Sequence, residues 1–388
     1  MANENVFAQI MSLGHRETFQ RCIERYHGDA YIKTFSCRDQ WLAMAFAQLT
    51  FRDSLRDLEA ALNARPELLY QMGFRSRVAR STLADANEAR DWRIFADWAQ
   101  TLIARARKLY AADPFGVDIT QTVYALDATV IDLCLSLFPW ARFRSTKAAI
   151  KLHTLLDLRG SIPSFLTLTE ARVHEVNILD VLPVEAGSIY VIDRGYIDFA
   201  RLARFTQQSA FFVTRAKTNM DFYVVESRPV DKASGLRCDQ TIRLRGFYPK
   251  QYYPDTLRRV RFYDAELERS FVFISNLFGL TALQIAELYH ARWQIELFFR
   301  WIKQHLRIRT FMGTNENAVR IQIWTALATY LLVAILKKTL KLDQSLHEIF
   351  QVISVTPFEK VPIQQLLMND SLLIDTRTGT DDIPNLFL

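Results

Sequence analysis

At Ala112-Asp113-Pro114-Phe115-Gly116 the chain changes texture, and that change limits what it can fold into more than any other feature. Aspartate, proline and glycine so close together end a helix and make a turn. Before this point, apolar residues recur at three- and four-residue spacing in WLAMAFAQL and in WRIFADWAQTLIARARKLY, the period of helices packed on one face. Ser81, in RSTLADANEAR, is the expected N-cap of a further helix. After the turn come strand-like runs: TVYALDATVIDL, AIKLHTLLDL and SIPSFLTLTEA, the last two joined as a hairpin at Arg159-Gly160. A short helix near HEVNILDVL, the strand SIYVIDRGY, the helical FARLARF and the strand AFFVTRAK follow. Strands first, then strands mixed with helices, predict an α/β fold with a mixed sheet and flanking helices, preceded by an all-helical N-terminal domain.

The 388 residues suit two or three domains. We expect a helical domain over 1–112, an α/β domain over 113–341, and a tail over 342–388 that could serve dimerisation or DNA contacts. Inside the α/β domain, residues 219–271 favour strands and are rich in aromatic and basic side chains (Phe222, Tyr223, Phe247, Tyr248, Tyr252, Tyr253, Arg258, Arg259), which reads as a β-rich insertion. One long helix is expected from about Thr281 to Leu306, then an apolar helix around Trp324.

Half the residues are hydrophobic and 23% are charged, which excludes a disordered chain. Cys22, Cys37, Cys134 and Cys238 are scattered singly, which argues against a disulfide framework or zinc site and fits a reducing compartment. The opening MANENVFAQI lacks the pattern of a signal peptide. The best membrane candidate, Ile321 to Leu336, is short and broken by Gln322, Thr325 and Thr329, so it reads as a buried helix. A cytoplasmic protein is expected, with no membrane partner. The net charge of +6 and pI of about 9.1 permit a polyanionic partner without establishing one. Arg16, Arg21, Arg25, Arg52, Arg56, Arg75, Arg77 and Arg80 are either solvated helix faces or a module that grips phosphates.

Two strands share one pattern, an apolar run that ends on aspartate: VYAL-Asp127 and YVI-Asp193, the latter followed by Arg194-Gly195. A carboxylate at the end of a buried strand is costly unless paired or bound to a cation. Either aspartate alone could simply start a turn; two such strands side by side would bring both within reach of one cation. In ELYHARWQIELFFRWIKQHLRIRTF, the positions Tyr289, Arg292, Glu296 and Lys303 fall on one helical stripe. Ile295, Phe298, Phe299, Ile302 and Leu306 form a second, apolar stripe, so Glu296 stands at the border of core and solvent. An ordinary amphipathic helix with an Arg292–Glu296 pair would show the same spacing. Two Asp and one Glu are hard oxygen donors that suit magnesium or manganese, and two such ions can serve phosphoryl transfer. Arg292 and Lys303 beside Glu296 would hold a phosphate backbone.

The spacing Y-x2-R-x3-E-x6-K at Tyr289, Arg292, Glu296 and Lys303 resembles the signature of the insertion-sequence-four family of bacterial transposases. Asp127 in YALDAT and Asp193 in VIDRGY resemble that family's two catalytic aspartates, and roughly 100 residues separate Asp193 from Glu296, room for a β-strand insertion. The stretch FRSRVARSTLADANEARDWRIF is similar to the domain that precedes the core in one branch of the family. The resemblance implies a ribonuclease-H-like core, with Asp127, Asp193 and Glu296 catalytic and holding two Mg2+ or Mn2+ ions. It further implies binding to terminal inverted repeats of an insertion sequence, cleavage of the ends and joining of the 3′ hydroxyls to target DNA. A homodimer in a paired-end complex would do this on double-stranded DNA, without a nucleotide cofactor, associated with the bacterial nucleoid when bound. Tyr289, Arg292 and Lys303 would contact phosphates near the cut and help hold a flipped base, with Tyr252, Tyr253 or Phe247 as stacking candidates.

Further residues compete for roles. Asp132 alternates away from Asp127 along a regular strand, and Asp198 belongs to the next helix start. His290 and His305 adjoin the signature off its stripe, which suits a structural or phosphate contact. Arg194 follows Asp193 and is a DNA-contact candidate; the run Arg142, Arg144, Lys147, Lys151 either tracks DNA beside Asp127 or is a solvated edge. Alternative readings are a non-transposing metal-dependent nuclease of the same fold, a domesticated DNA-binding regulator, and a paired-carboxylate glycosidase, which would leave the cations on the Glu296 stripe unexplained.

Overall fold

Helices occupy the chain up to Tyr110 in the computed structural model, which describes residues 4–305 and 311–368. Leu306 and the tail beyond residue 368 lie outside the described residues, as does the side chain of His305. Both predicted amphipathic runs are helical, as Cys37–Leu49 and Arg93–Tyr110. The helix Arg80–Ala89 begins one residue before Ser81, and Ser81 does not cap it. Its first backbone N–H, from Arg80, donates instead to the Glu59 carboxylate at 2.8 Å, a distant acceptor that the local sequence cannot show. Arg16, Arg21, Arg25, Arg56, Arg75, Arg77 and Arg80 are exposed, whereas Arg52 is held by Asp57 and Thr50.

Ten strands follow: β1 (Val123–Leu133), β2 (Arg142–Arg144), β3 (Lys147–Asp157), β4 (Ile162–Glu170), β5 (Ile189–Ile192), β6 (Phe211–Arg215), β7 (Phe222–Arg228), β8 (Leu236–Leu244), β9 (Leu257–Asp264) and β10 (Arg269–Ser275). The described residues divide into two compact units that interleave along the chain. Residues up to Tyr110, Ile131–Ala149 and those from Arg300 onward form the first; Ala111–Val130 and Ile150–Phe299 form the second. This differs from the contiguous boundaries expected near residues 112 and 341, because packing joins segments that the sequence separates.

In the first unit the helix Glu316–Leu340 packs against Arg93–Tyr110 and Cys37–Leu49. It is long and apolar enough to cross a membrane, with a mean hydropathy of 1.7, yet 94% of that window is buried within the protein, as expected of a core helix. Its polar residues are accommodated: Gln322 Oε1 accepts from the Met312 N–H, and Thr325 and Thr329 donate back to the carbonyls of Gln322 and Thr325.

The sheet runs β2–β3–β1–β5–β6–β10–β9–β8–β7, and β4 pairs with β3 off this path. The β3–β4 hairpin is antiparallel and turns through Gly160 at φ 76°, as the Arg159-Gly160 signal predicts. β5 is parallel to both β1 and β6. The order β4–β3–β1–β5–β6 with these orientations is a ribonuclease-H-like core. Ile189, Tyr190, Val191 and Ile192 of β5 are all fully buried, the continuous apolar run of a strand covered on both faces. Each contributes about 1.5–3 kcal/mol of burial, so the position where the run ends is firmly set. The insertion is β-rich as expected, but it does not stand apart: β10 pairs with β6, so β7–β10 extend the core sheet. Phe247, Tyr248 and Tyr252 lie on a short exposed helix, Phe247–Tyr252, while Tyr253 is buried and bonded to Thr206.

Candidate active site

The register of β1 on β5 pairs Leu126 with Ile192, so Asp127 and Asp193 both follow the last matched pair and emerge side by side. Asp193 also starts a turn, accepting from the Gly195 N–H at 3.4 Å. The expected single long helix is instead two, Ala282–Ala291 and Trp293–His305, interrupted at Arg292. The interruption leaves the side chains of the spacing converging. The Tyr289 hydroxyl donates to Asp193 Oδ1 at 3.1 Å, and the Arg292 guanidinium donates to Asp127 Oδ2 at 2.7 Å and to Glu296 Oε1 at 2.8 Å. Asp127, Asp193, Tyr289, Arg292 and Glu296 line one cavity of about 370 Å³, together with Arg194 and His290.

Two of the acids in the cavity crowd onto Arg292. Burial pushes the Asp127 carboxyl up to about 6; Arg292 opposes that shift, and Asp193 and Glu296 add to it. Burial alone would lower Arg292, but Asp127, Tyr289, Glu296 and Asp193 outweigh it and hold its guanidinium firmly charged. Burial likewise raises the Tyr289 hydroxyl to about 12, so it stays a donor. The Arg292 Nε is buried with no hydrogen-bond partner among the described residues. So is the hydroxyl of Tyr196, which sits in the field of Asp127, Glu175 and Asp193.

Two Asp and one Glu offer the oxygen donors that a hard divalent ion takes. Among the described residues, however, no three His, Cys, Asp or Glu side chains stand close enough to hold one ion together. Asp127 and Glu296 are each turned onto Arg292, which serves as their counter-ion. The donor chemistry fits a metal; the arrangement also requires Arg292 to give up those two contacts.

Other candidates fall elsewhere. Asp132 is exposed, and Asp198 caps the helix Phe199–Gln207 by accepting from the Arg201 N–H at 3.0 Å. Lys303 is half-buried on the helix Trp293–His305 and does not line the cavity; Arg142, Arg144 and Lys147 are exposed and do not line it either. Lys151 is neither a DNA-tracking nor a solvated side chain. It is buried, donates to the Val173 carbonyl at 2.9 Å and pairs with Glu175 at 3.3 Å. Of the aromatic candidates, neither Phe247 nor Tyr252 nor Tyr253 lines the cavity; Phe271 does.

Arg215 and Arg269 also line it and were missed from sequence. One signal was available. The β5–β6 register pairs Ile192 with Thr214, so Arg215 emerges beside Asp193 just as Asp193 emerges beside Asp127. AFFVT-Arg215 is a third apolar run that ends on a charge. Arg269 and Phe271 carried no such mark, because β10 reaches the site only through its long-range pairing with β6.

Comparison with known proteins shows the family of the chain. The Transposase DDE domain family model matches residues 119–332, more than half of the chain, and a domain of unknown function (DUF4372) matches residues 2–75. The chain is 34% identical to y4zB of Sinorhizobium fredii over 65% of this chain and 70% of that one. It is 32% identical to the protein of element IS5377 of Geobacillus stearothermophilus over 54% and 55% of the two chains. With the protein of element IS4SA of Synechocystis it shares 24% identity over 84% and 89%. All three bear transposase names. The cryo-EM structure of a piggyBac transposase synaptic complex with hairpin DNA aligns at a TM-score of 0.47 and 7% identity, covering 96% of this chain and 82% of that one.

Proposed function

This chain belongs to the Transposase DDE domain family and is a DNA transposase, a metal-dependent enzyme of DNA cleavage and transfer; from that premise we propose that Asp127, Asp193 and Glu296 are its catalytic carboxylates. The observation that carries the reading is the convergence of these three side chains, from within β1, from the end of the adjacent β5 and from a helix far along the chain, on one cavity. They would hold magnesium, or manganese, as two ions, which supply activation of the attacking oxygen and neutralisation of the leaving one. The chain's own groups do the positioning. Tyr289 donates to Asp193 and fixes its carboxylate. Arg292 is the counter-charge of Asp127 and Glu296. Arg194, exposed at the cavity rim, and Lys303, Arg142, Arg144 and Lys147 are proposed DNA contacts of lesser reach.

The proposed substrates are the terminal inverted repeats of an insertion sequence and a target DNA, engaged by a homodimer in a paired-end complex. The helical N-terminal segment, with its exposed arginines, suits end binding. The test is to incubate the protein with an end-labelled element terminus, magnesium and a supercoiled plasmid. Labelled DNA joined to plasmid is the expected product. Nicked or cut termini with no joined product would instead identify a nuclease.

A further inference from the structure

A second cavity of about 270 Å³ adjoins the first, lying against β6, β7, β9 and β10. The two share Arg194, Arg215, Arg269 and Phe271 as a common wall. Their charges differ sharply. The first holds all three carboxylates; the second is lined by Arg194, Arg215, Lys217, Arg259 and Arg269 and by no acidic side chain. Like charges so close repel one another unless an anion joins them.

The cations are also held in place by something other than carboxylates. Arg215 and Arg269 each lie over the Phe271 ring, at 5.7 and 5.5 Å from its centroid, and Arg259 lies over Phe222 at 5.2 Å. A ring beneath a guanidinium orders it while leaving the N–H edge available. Arg194, Arg215 and Arg269 have no ion pair among the described residues. Arg259 donates to Gln240 and to Cys238 Sγ, both uncharged. Phe271 is 6% exposed, so its role is to position the two arginines rather than to present a free stacking face.

We propose that this second cavity binds a backbone phosphate of the single DNA strand that leaves the carboxylate cavity, so that the strand runs from Asp193 past Arg269 toward Arg259. The proposal rests on the reading of the carboxylate cavity as the place of cleavage. The cavity's size suits one phosphate with its sugar, not a duplex, and its donors are fork-shaped guanidiniums that match phosphate oxygens.

The test is the affinity of the full-length protein for a fluorescein-labelled oligothymidylate, by anisotropy in EDTA across a salt series. Arg269→Ala and Arg259→Ala are each expected to weaken binding by about tenfold and to lower the salt slope by about 0.7 per cation removed. Arg269→Lys should keep the slope, and Phe271→Leu should weaken binding where Phe271→Tyr does not. Arg243→Ala, on an exposed position of β8 outside both cavities, should change affinity by less than about twofold. Wild-type affinity and slope in both alanine variants would overturn the proposal. So would a cavity that takes only free phosphate, seen as inorganic pyrophosphate bound by the wild type and not by the variants while oligothymidylate binding is unchanged. Failure of the underlying reading looks different: Asp193→Asn would still cleave DNA, whatever the arginine variants bind.

Discussion

The second unit contains two arginine–carboxylate clusters of opposite kinds. In the insertion, Arg258 and Asp239 are both almost wholly buried, with side chains 5% and 7% exposed. Arg258 Nε and Nη2 bond the two carboxylate oxygens at 2.9 and 2.8 Å, and Nη1 donates to the carbonyls of Leu277 and Leu280. Both carboxylate oxygens are engaged, with Arg228 also at 3.5 Å from Asp239, and the donors of Arg258 are filled from every side. In the carboxylate cavity, one guanidinium faces two carboxylates directly, a third carboxylate stands beside them, and the guanidinium's Nε has no partner among the described residues. The first cluster is a finished structural joint. The second is left open: three carboxylates share a cavity with Arg194, Arg215, Arg269 and Arg292, yet among the described residues only Arg292 is seen paired with any of them, and perturbed charges gathered in a cleft mark a functional site.

The contrast can be broken by substitution. Asp127→Asn, Asp193→Asn and Glu296→Gln should each lower end cleavage by on the order of a thousandfold or more, about 4 kcal/mol in the transition state, while leaving DNA-end binding largely intact. Near-normal cleavage by any one removes that residue from the catalytic set. Arg258→Ala should strip the buried Asp239 of its two-pronged partner, leaving only the longer Arg228 contact at 3.5 Å, and cost about 3 kcal/mol of unfolding free energy by denaturant titration, without a specific effect on the chemistry of the folded fraction.

A smaller effect separates the clusters by pH. The Asp127 carboxyl is pushed up from 3.8 to about 6 by burial, so between those values the folded state holds a proton that the unfolded chain releases. Its contribution therefore falls as pH rises through that window and is a full penalty above about 6. Asp127→Asn should stabilise the metal-free protein at pH 7.5 by on the order of 1–2 kcal/mol, and the gain should vanish near pH 4. A gain that is equal at both pH values would show that Asp127 carries no such strain. Smallest of all, Lys303→Ala should weaken end binding a few-fold, with a shallower salt dependence, so that the difference narrows as salt is raised.

Much of this was legible in the sequence, for identifiable reasons. Asp127 and Asp193 stood out because each breaks a buried apolar run; Asp193 does follow the end of β5, whereas β1 continues past Asp127 to Leu133, so there the break marks the end of the fully buried stretch and not of the strand. Glu296 stood out because helical periodicity puts it level with Tyr289 and Arg292, and the structure keeps the three together despite the break at Arg292. What sequence could not show were contacts made over long separations. The pairing of β10 with β6 brings Arg269 and Phe271 to the cavity, and the seat of Lys151 depends on Glu175 and the Val173 carbonyl. The interleaving of the two units has the same origin. Nor could spacing alone reveal that Arg292 sits between two of the acids it was expected merely to accompany.

The account stands on the claim that the carboxylates of this cavity act as metal ligands. Asp193→Cys tests it most directly, because a thiolate is a poor ligand for magnesium and a better one for softer manganese. End cleavage by this variant should be lost in magnesium and partly restored in manganese, with the wild type active in both. Cleavage by Asp193→Cys at the wild-type rate in magnesium would contradict it.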